Sequence, residues 1–480
     1  MRRTKIVATL GPATDSNKVM KKMLEAGVNL VRMNYSHGHR DDHARRVEQV
    51  RTLAQKMKLE VGIVADLQGP KIRLTGFRND SIMLSPGDEL VIDPDYPAND
   101  GDDHHVGVTY KDLPKDVQAG DTLLIDDGRI ILKVEDVNEN QVETVVLVGG
   151  KLSGFKGINR EGGGLSARAL THKDKLDLRH AVEQGVDYIA VSFPRSAEDI
   201  EDARRLIKKA GGDCGIIAKI ERAEAVDAAE EIILASEAVM VARGDLGVEI
   251  GDAALPPVQK HLIQLARQHH KCVITATQMM ESMIENTIPT RAEVFDVANA
   301  VLDGTDAVML SAETSVGKHP DIVISAMARV CVGSEARALE VTERRHGGGG
   351  DLKSLDHAVA LAAVLCANRF PIKAIAALTE SGTTTRLMSR EQSRIPIFAL
   401  SRHADTLRRV SLYRGVHAIP FDITRYKPEQ VTKAVLDLLV KLGVVEDGDD
   451  VLITKGDVHG SMGGTNGMKV VRVGGANDEA

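Results

Sequence analysis

Where the apolar run Val239-Met240-Val241-Ala242 stops, the chain continues Arg243-Gly244-Asp245, and other apolar runs end the same way. "VRMNYSHG" delivers Arg32, Asn34, Ser36 and His37, and "VGIVAD" ends in Asp66. "GIIAKIE" ends in Lys219 and Glu221, "CVITAT" in Thr275 and Thr277, and "AVML" is followed by Ser311 and Glu313. A single lysine or glutamate at a strand end is ordinarily a solvated rim residue, but this many polar ends together point to chemistry on one rim. Glu221 and Asp245 offer two hard carboxylates. That is too few for a calcium cage and suits magnesium, which keeps waters and takes further ligands from substrate oxygens. Lys219 is a point cation and Arg32 a forked one, both suited to phosphoryl oxygens. The combination points to phosphoryl transfer. Gly244 lets backbone approach a ligand closely. The residues after it, if they open a short helix, offer free N–H groups to a carboxylate. Arg243 is expected to pair locally and hold the turn.

The elements that must position these groups are legible as a rhythm. Apolar, β-rich runs ("KIVATLG", "NLVRMN", "VGIVADL", "YIAVSF", "GIIAKI", "AVMVAR", "KCVITAT", "DAVMLSA") alternate with amphipathic stretches. In one of these, Ala44, Val47, Val50, Leu53, Ala54 and Met57 repeat at helical spacing. Strands apolar on both faces are buried under helices, and eight such units closing on themselves make a (β/α)8 TIM barrel. After Asp66 the rhythm breaks into short alternating strands with turn residues between them, which reads as an inserted small β-barrel lid at the catalytic end. Glycines 347–350 read as a linker. A second α/β rhythm comes after it. The expected division is 1–69 and 169–345 for the barrel, 70–168 for the lid, and 346–480 for a C-terminal α/β effector domain.

A chain of 480 residues exceeds one ordinary core. With 43% hydrophobic and 27% charged residues it belongs among folded globular chains. The longest apolar runs are too short to span a bilayer, and the basic start lacks the apolar core of a signal peptide. The expected location is cytoplasmic. A formal charge of −8 disfavours nucleic acid as a partner. The cysteines Cys214, Cys272, Cys331 and Cys366 are too scattered for a disulfide framework or a zinc site.

"TKIVATLGPAT", "VRMNYSHG", "DLQGPKIR", "IIAKIERAEAV", "VMVARGDLGVEI", "ITATQMMESMI" and "PTRAEVFDVANAVLDGTDAVMLSAET" resemble, in order and along essentially the whole chain, the pyruvate kinase family. The resemblance implies transfer of the phosphoryl group of phosphoenolpyruvate to ADP, the last step of glycolysis, with Mg2+ or Mn2+ as cofactor. It places Arg32 on the substrate phosphate, Lys219 on the transferring phosphoryl group, and Glu221 and Asp245 on the metal. Gly244, Asp245 and Thr277 would seat the substrate carboxylate, with Thr277, and Ser311 as a second candidate, near the protonation step. Arg73 and Lys156 would contact the nucleotide phosphates, with His37 as a further candidate. Either Asp126 or Asp127 would latch to Arg32 when the lid closes. A homotetramer and a phosphorylated allosteric effector are implied as well.

One departure stands out. Many family members hold potassium with groups matching Asn34, Ser36 and Asp66 and carry "TKGPEIR", where this chain has "LQGPKIR". Leu67 replaces the threonine and Lys71 the glutamate, so the expectation is that the Lys71 ammonium substitutes for potassium, the alternative being that Lys71 points to solvent and potassium still binds. In the C-terminal part, Thr379, Ser381, Gly382, Thr383 and Thr384 precede a helix, which makes an anion site; the resemblance makes it the effector site. Two rivals remain: another magnesium-dependent barrel enzyme acting on pyruvate enolates, and a sensor without turnover. The β insertion with Lys156 counts against the first, and intact Lys219, Glu221, Asp245 and Thr277 against the second.

Overall fold

The computed structural model describes residues 1–138, 140–342, 354–391, 393–456 and 464–475, the side chains of 338–342 excepted. The glycine linker at 347–350 and the division at 345/346 lie outside the described residues. Eight parallel strands close a barrel: β1 Lys5–Thr9, β2 Leu30–Asn34, β3 Gly62–Asp66, β4 Tyr188–Val191, β5 Gly215–Ile220, β6 Ala238–Ala242, β7 Cys272–Ala276 and β8 Ala307–Leu310. Around the ring the order is β1-β8-β7-β6-β5-β4-β3-β2, so every strand pairs with its neighbours in sequence, as repeated βα units require. Ala8 of β1 pairs with Leu310 of β8 and with Val31 of β2, and Lys219 of β5 with Met240 of β6. Strands β1, β3, β6 and β7 are buried at every residue, which is why their sequences lack polar alternation.

The helix between β2 and β3, Arg40–Met57, buries Val47, Val50 and Ala54 as its spacing predicts, together with His43 and Arg46, which the pattern missed. His43 stacks on Tyr35 with ring centroids 4.2 Å apart. The Arg46 guanidinium is paired to Asp15 at 2.7 Å, so its charge is answered where it is buried.

The chain divides into two compact units, Met1–Ala65, Ala181–Ile189 and Ile263–Ala480 in the first, Asp66–His180 and Ala190–Leu262 in the second. Within the second, the insertion after β3 forms a six-stranded sheet and a separate two-stranded one. The short strands expected there are present, at Ser81–Leu84, Glu89–Asp93, His105–Gly107, Thr122–Ile125, Ile130–Asn138 and Gln141–Val148. Gly150–Ser153 and Ile158–Arg160 are strands that the alternation did not reveal, because glycine and polar residues dominate them. Leu90, Ile92, Leu123, Leu132 and Val134 are wholly buried between these strands. At about 2 kcal/mol for each buried aliphatic side chain, the insertion carries a core of its own.

Within the first unit, β9 Ile372–Leu378, β10 Ile397–Ser401, β11 Val416–Pro420, β12 Asp450–Gly456 and β13 Thr465–Arg472 form a sheet in the order β11-β10-β9-β12-β13. Only β13 is antiparallel to its neighbour among these described strands. Alternate residues of β9 feed two cores. Ala374, Ala376 and Leu378 pack with Val435 and Leu439. Ile375 and Ala377 pack with Ala363, Val364 and Met388. The sheet is therefore covered on both faces, the doubly wound arrangement its apolar strands call for.

Candidate active site

In the second unit the ends of β3, β4 and β5 bring together a buried charge cluster. Lys219 Nζ stands 2.8 Å from Glu221 Oε1 and 3.2 Å from Asp66 Oδ1. It also donates to Ser192 Oγ at 2.7 Å. Ser192 donates in turn to the Leu67 carbonyl at 2.7 Å, which fixes the backbone after β3. The second oxygen of Glu221 accepts from the Phe193 N–H at 3.0 Å. Phe193 holds a left-handed backbone at φ 55°, a cost tolerated where the surroundings fix it. Burial pushes the Glu221 carboxyl up to about 7, helped by the negative Asp245 and Asp66 and opposed by Lys219. A buried carboxylate crowded by two others is what a divalent cation relieves. Glu221 and Asp245, all-oxygen donors, therefore fit a hard cation.

Asp245 lies in the first turn of the helix Arg243–Ile250, which begins directly after β6. The short helix anticipated from Arg243-Gly244-Asp245 thus exists, with Gly244 and Asp245 half-buried. Arg243 is buried and its Nη1 donates to Gln259 Oε1 at 3.4 Å, in the helix Leu255–Gln268 rather than within its own turn.

A cavity of about 250 Å³ in the same unit is lined by Lys71, Arg73, Asp126, Lys156, Arg222 and Asp245, among others. Lys156 Nζ is 2.8 Å from Asp126 Oδ1. Arg73 donates through Nη1 to the Phe155 carbonyl at 2.7 Å. Lys71 is exposed and makes no ion pair among the described residues. Ser192, Phe193 and Arg222 escaped the sequence reading. Arg222 lies over the Phe193 ring, 5.4 Å from its centroid, and donates to the Leu165 carbonyl at 2.9 Å. The signal for Arg222 stood in plain view, one residue past Glu221 in "KIER".

The first unit carries the other candidates. Arg32 is nearly buried and its Nη1 donates to Thr9 Oγ1 at 3.1 Å. Asn34 Oδ1 accepts from the Ser36 N–H at 3.1 Å, and His37 is exposed beyond that turn. Thr277 sits at φ 64° just past β7, and its Oγ1 donates to the Ala276 carbonyl at 2.7 Å. A β-branched residue there is strained. Thr275, also at this strand end, is wholly buried and donates to Thr305 Oγ1, a packing role. Glu313 is buried, and burial raises its carboxyl above the ordinary range. Its oxygens accept from Ser311 N at 2.6 Å and from Met280 N at 3.3 Å, so one carboxylate ties the loops after β7 and β8.

Near β9, Gly382 adopts φ 82° and its N–H donates to Thr379 Oγ1 at 2.9 Å, ahead of the helix Thr383–Arg390. Ser381 and Thr383 share a hydroxyl contact at 3.0 Å. Thr384 is turned inward onto Thr465 Oγ1 at 2.7 Å, so its hydroxyl serves packing.

Comparison with known proteins gives the same outline. The family model described as "Pyruvate kinase, barrel domain" matches residues 1–324, and "Pyruvate kinase, alpha/beta domain" matches 357–471. The chain is 52% identical over 477 residues to a protein of Salmonella typhimurium named Pyruvate kinase II, covering 98% of this chain and 99% of that one. It is 51% identical over 460 residues to a pyruvate kinase of Haemophilus influenzae, covering 95% and 96%. A solved pyruvate kinase from Cryptosporidium parvum superposes with a TM-score of 0.92 at 33% identity, covering 98% of this chain and 96% of that one.

Proposed function

Since the chain belongs to the pyruvate kinase family, and so transfers the phosphoryl group of phosphoenolpyruvate to ADP to give pyruvate and ATP, we propose that the clustered strand-end residues carry this transfer. The observation behind the assignment is the buried Lys219, held by Glu221, Asp66 and Ser192. Glu221 and Asp245 hold a divalent ion, Mg2+ or Mn2+, which when bound neutralises charge on the phosphoryl oxygens. The Lys219 ammonium faces the transferring group. It stabilises charge on the equatorial oxygens while the bond to the enol oxygen breaks and the bond to the ADP oxygen forms. Arg32 grips the phosphate as a fork. The first-turn amides around Gly244 and Asp245 seat the carboxylate. Thr277, with Ser311 as the second candidate, lies near the carbon that takes the proton.

Arg73 and Lys156 take the nucleotide phosphates, with His37 as a further candidate. Lys156 exchanges its Asp126 partner for them, so Asp126 acts as its resting counter-charge. Residues 70–168 work as a lid that keeps water from the phosphoryl group, 1–69 and 169–345 as the barrel, and 346–480 as the effector domain. Thr379, Ser381, Gly382 and Thr383 receive a phosphorylated effector. The working form is a homotetramer. No helix among the described residues is long and apolar enough to cross a membrane.

The test is pyruvate formation from phosphoenolpyruvate, ADP and Mg2+ in a potassium-free buffer, followed by a potassium titration. Lys71 is proposed to supply the positive charge that potassium brings elsewhere, in place of the ion that many family members hold at positions matching Asn34, Ser36, Asp66 and Leu67. Full activity without potassium is the expected result, and Lys71→Glu should become potassium-activated by about tenfold or more. Activity that appears only with potassium in the unaltered enzyme would keep the enzyme and end the substitution.

Thr277 gives a second check. Thr277→Gly should relieve about 1 kcal/mol of backbone strain and lower kcat by about 10²-fold. Denaturant unfolding and steady-state rates read the two effects separately. Unchanged turnover would make the residue a strained spacer.

A further inference from the structure

Five arginines converge in the first unit on a cavity of about 100 Å³: Arg3, Arg267, Arg390, Arg394 and Arg414. They arrive from separate segments: the residues before β1, the last turn of Leu255–Gln268, the end of Thr383–Arg390 with the loop leading to β10, and the turn before β11. Asp306 and Glu335 are carboxylates there, Glu391 also acts on Arg267 and Arg390, and each of the three is engaged, Glu391 with His357 Nε2 at 3.3 Å. Asp306 is gripped through both oxygens by Arg390 and also accepts from the Arg414 N–H at 3.2 Å. Glu335 accepts from the backbone N–H groups of Arg3 at 2.9 Å and Thr4 at 2.6 Å. The Arg414 guanidinium donates to the carbonyls of Val301 and Thr305.

Donors remain over. Arg3 Nη2 and Arg390 Nε are buried and have no hydrogen-bond partner among the described residues. The Arg267 guanidinium donates no hydrogen bond among them either, while the Arg267 carbonyl accepts from the His270 N–H at 3.0 Å. Its guanidinium is accommodated by Gly304, where a Cβ would stand 1.9 Å from Nη1. Burial, then the neighbouring Arg414, lowers Arg3 to about 10. Burial, then Arg390 and Arg414, does the same to Arg267. Like charges packed out of water repel, and each leftover N–H carries its desolvation cost. A multiply charged tetrahedral oxyanion answers both at once, because guanidinium forks match its oxygens. The space suffices, a water's share of liquid being about 30 Å³.

We propose that this arginine cavity binds a phosphate-bearing anion, either inorganic phosphate or the phosphoryl end of a phosphomonoester, with Arg3 and Arg267 supplying the free donors. The site is separate from the hydroxyl turn at Thr379, Ser381 and Thr383, and its existence does not depend on that turn's role. By joining the segment before β1 to the end of Thr383–Arg390, the anion clamps the C-terminal sheet to the β1 and β8 side of the barrel.

Isothermal titration of the full chain with inorganic phosphate, and separately with glycerol 3-phosphate, at ionic strength fixed by chloride, tests this. The wild type should show one more anion site per chain than the Arg3→Gln/Arg267→Gln double variant, with at least about tenfold weaker binding at that site in the variant. A Ser381→Ala/Thr383→Ala variant should retain it. Binding of both anions assigns a phosphate site, and binding of the ester alone assigns a phosphometabolite site. Equal binding by wild type and double variant, or a site filled by malonate and not by phosphate, would overturn the proposal. Should the double variant fail to fold, wild-type crystals grown in phosphate decide: an anion bonded to Arg3 and Arg267 supports it, and a cavity holding only water refutes it.

Discussion

Lys219→Met should lower kcat by about 10³-fold or more, the scale lost when a cation aimed at a transferring phosphoryl group is removed. The residue is nine-tenths buried and three partners hold its ammonium, so it is preorganised and pays little to reorient during reaction. Methionine keeps the length and removes the charge. KM for phosphoenolpyruvate should move far less than kcat, because the ammonium acts most strongly on charge that develops during transfer. The same substitution leaves Asp66 and Glu221 facing each other without a cation. The metal-free variant should therefore lose about 3 kcal/mol of stability, part of it recovered on adding Mg2+. A drop in kcat smaller than about tenfold would remove Lys219 from the reaction.

The second large effect concerns metal and pH. Glu221 sits at about 7 in the folded, metal-free protein because burial disfavours its charged form. A cation needs that carboxylate ionised, so the proton competes with it. Apparent Mg2+ affinity should fall as pH drops below about 7, approaching tenfold per pH unit, and should be flat above it. Glu221→Gln should weaken Mg2+ binding by about 10²-fold and abolish this dependence. For the metal-free fold the sign comes from a raised pKa. The contribution of the protonated carboxyl is complete below the ordinary glutamate value of about 4.5, and it is lost as pH rises through about 7. Melting curves of the wild type and Glu221→Gln, recorded with chelator across that window, should diverge as pH rises, the wild type becoming the less stable. Parallel curves would mean that Glu221 is ionised throughout.

The barrel was legible because all eight strands are short apolar runs separated by helical spacing, and each run became a strand at its expected place. Polar residues at the strand ends were legible for the same reason, since a parallel barrel sends those ends to one rim. What the spacing could not give was the pairing. Lys219 and Glu221 are two residues apart, yet their partners Asp66 and Ser192 come from distant strands, and only closure of the barrel brings them near. Ser192 and Phe193 read as the tail of an apolar strand, because a left-handed φ at a phenylalanine leaves no mark in composition. The hydroxyl turn was visible as a cluster, but not that Thr384 would face inward, since Thr465 lies 81 residues away. The arginine cavity was invisible for the same reason: its five members are scattered through the chain and none sits in a motif.

Glu313 sets a rule for anyone who would refit this enzyme to a bulkier enolate. Because its two oxygens are shared between Ser311 and Met280, the loops after β7 and β8 cannot be redesigned one at a time. Lengthening or shifting either pulls the shared pin from the other, so a grafted loop must arrive with its mate, as one cassette.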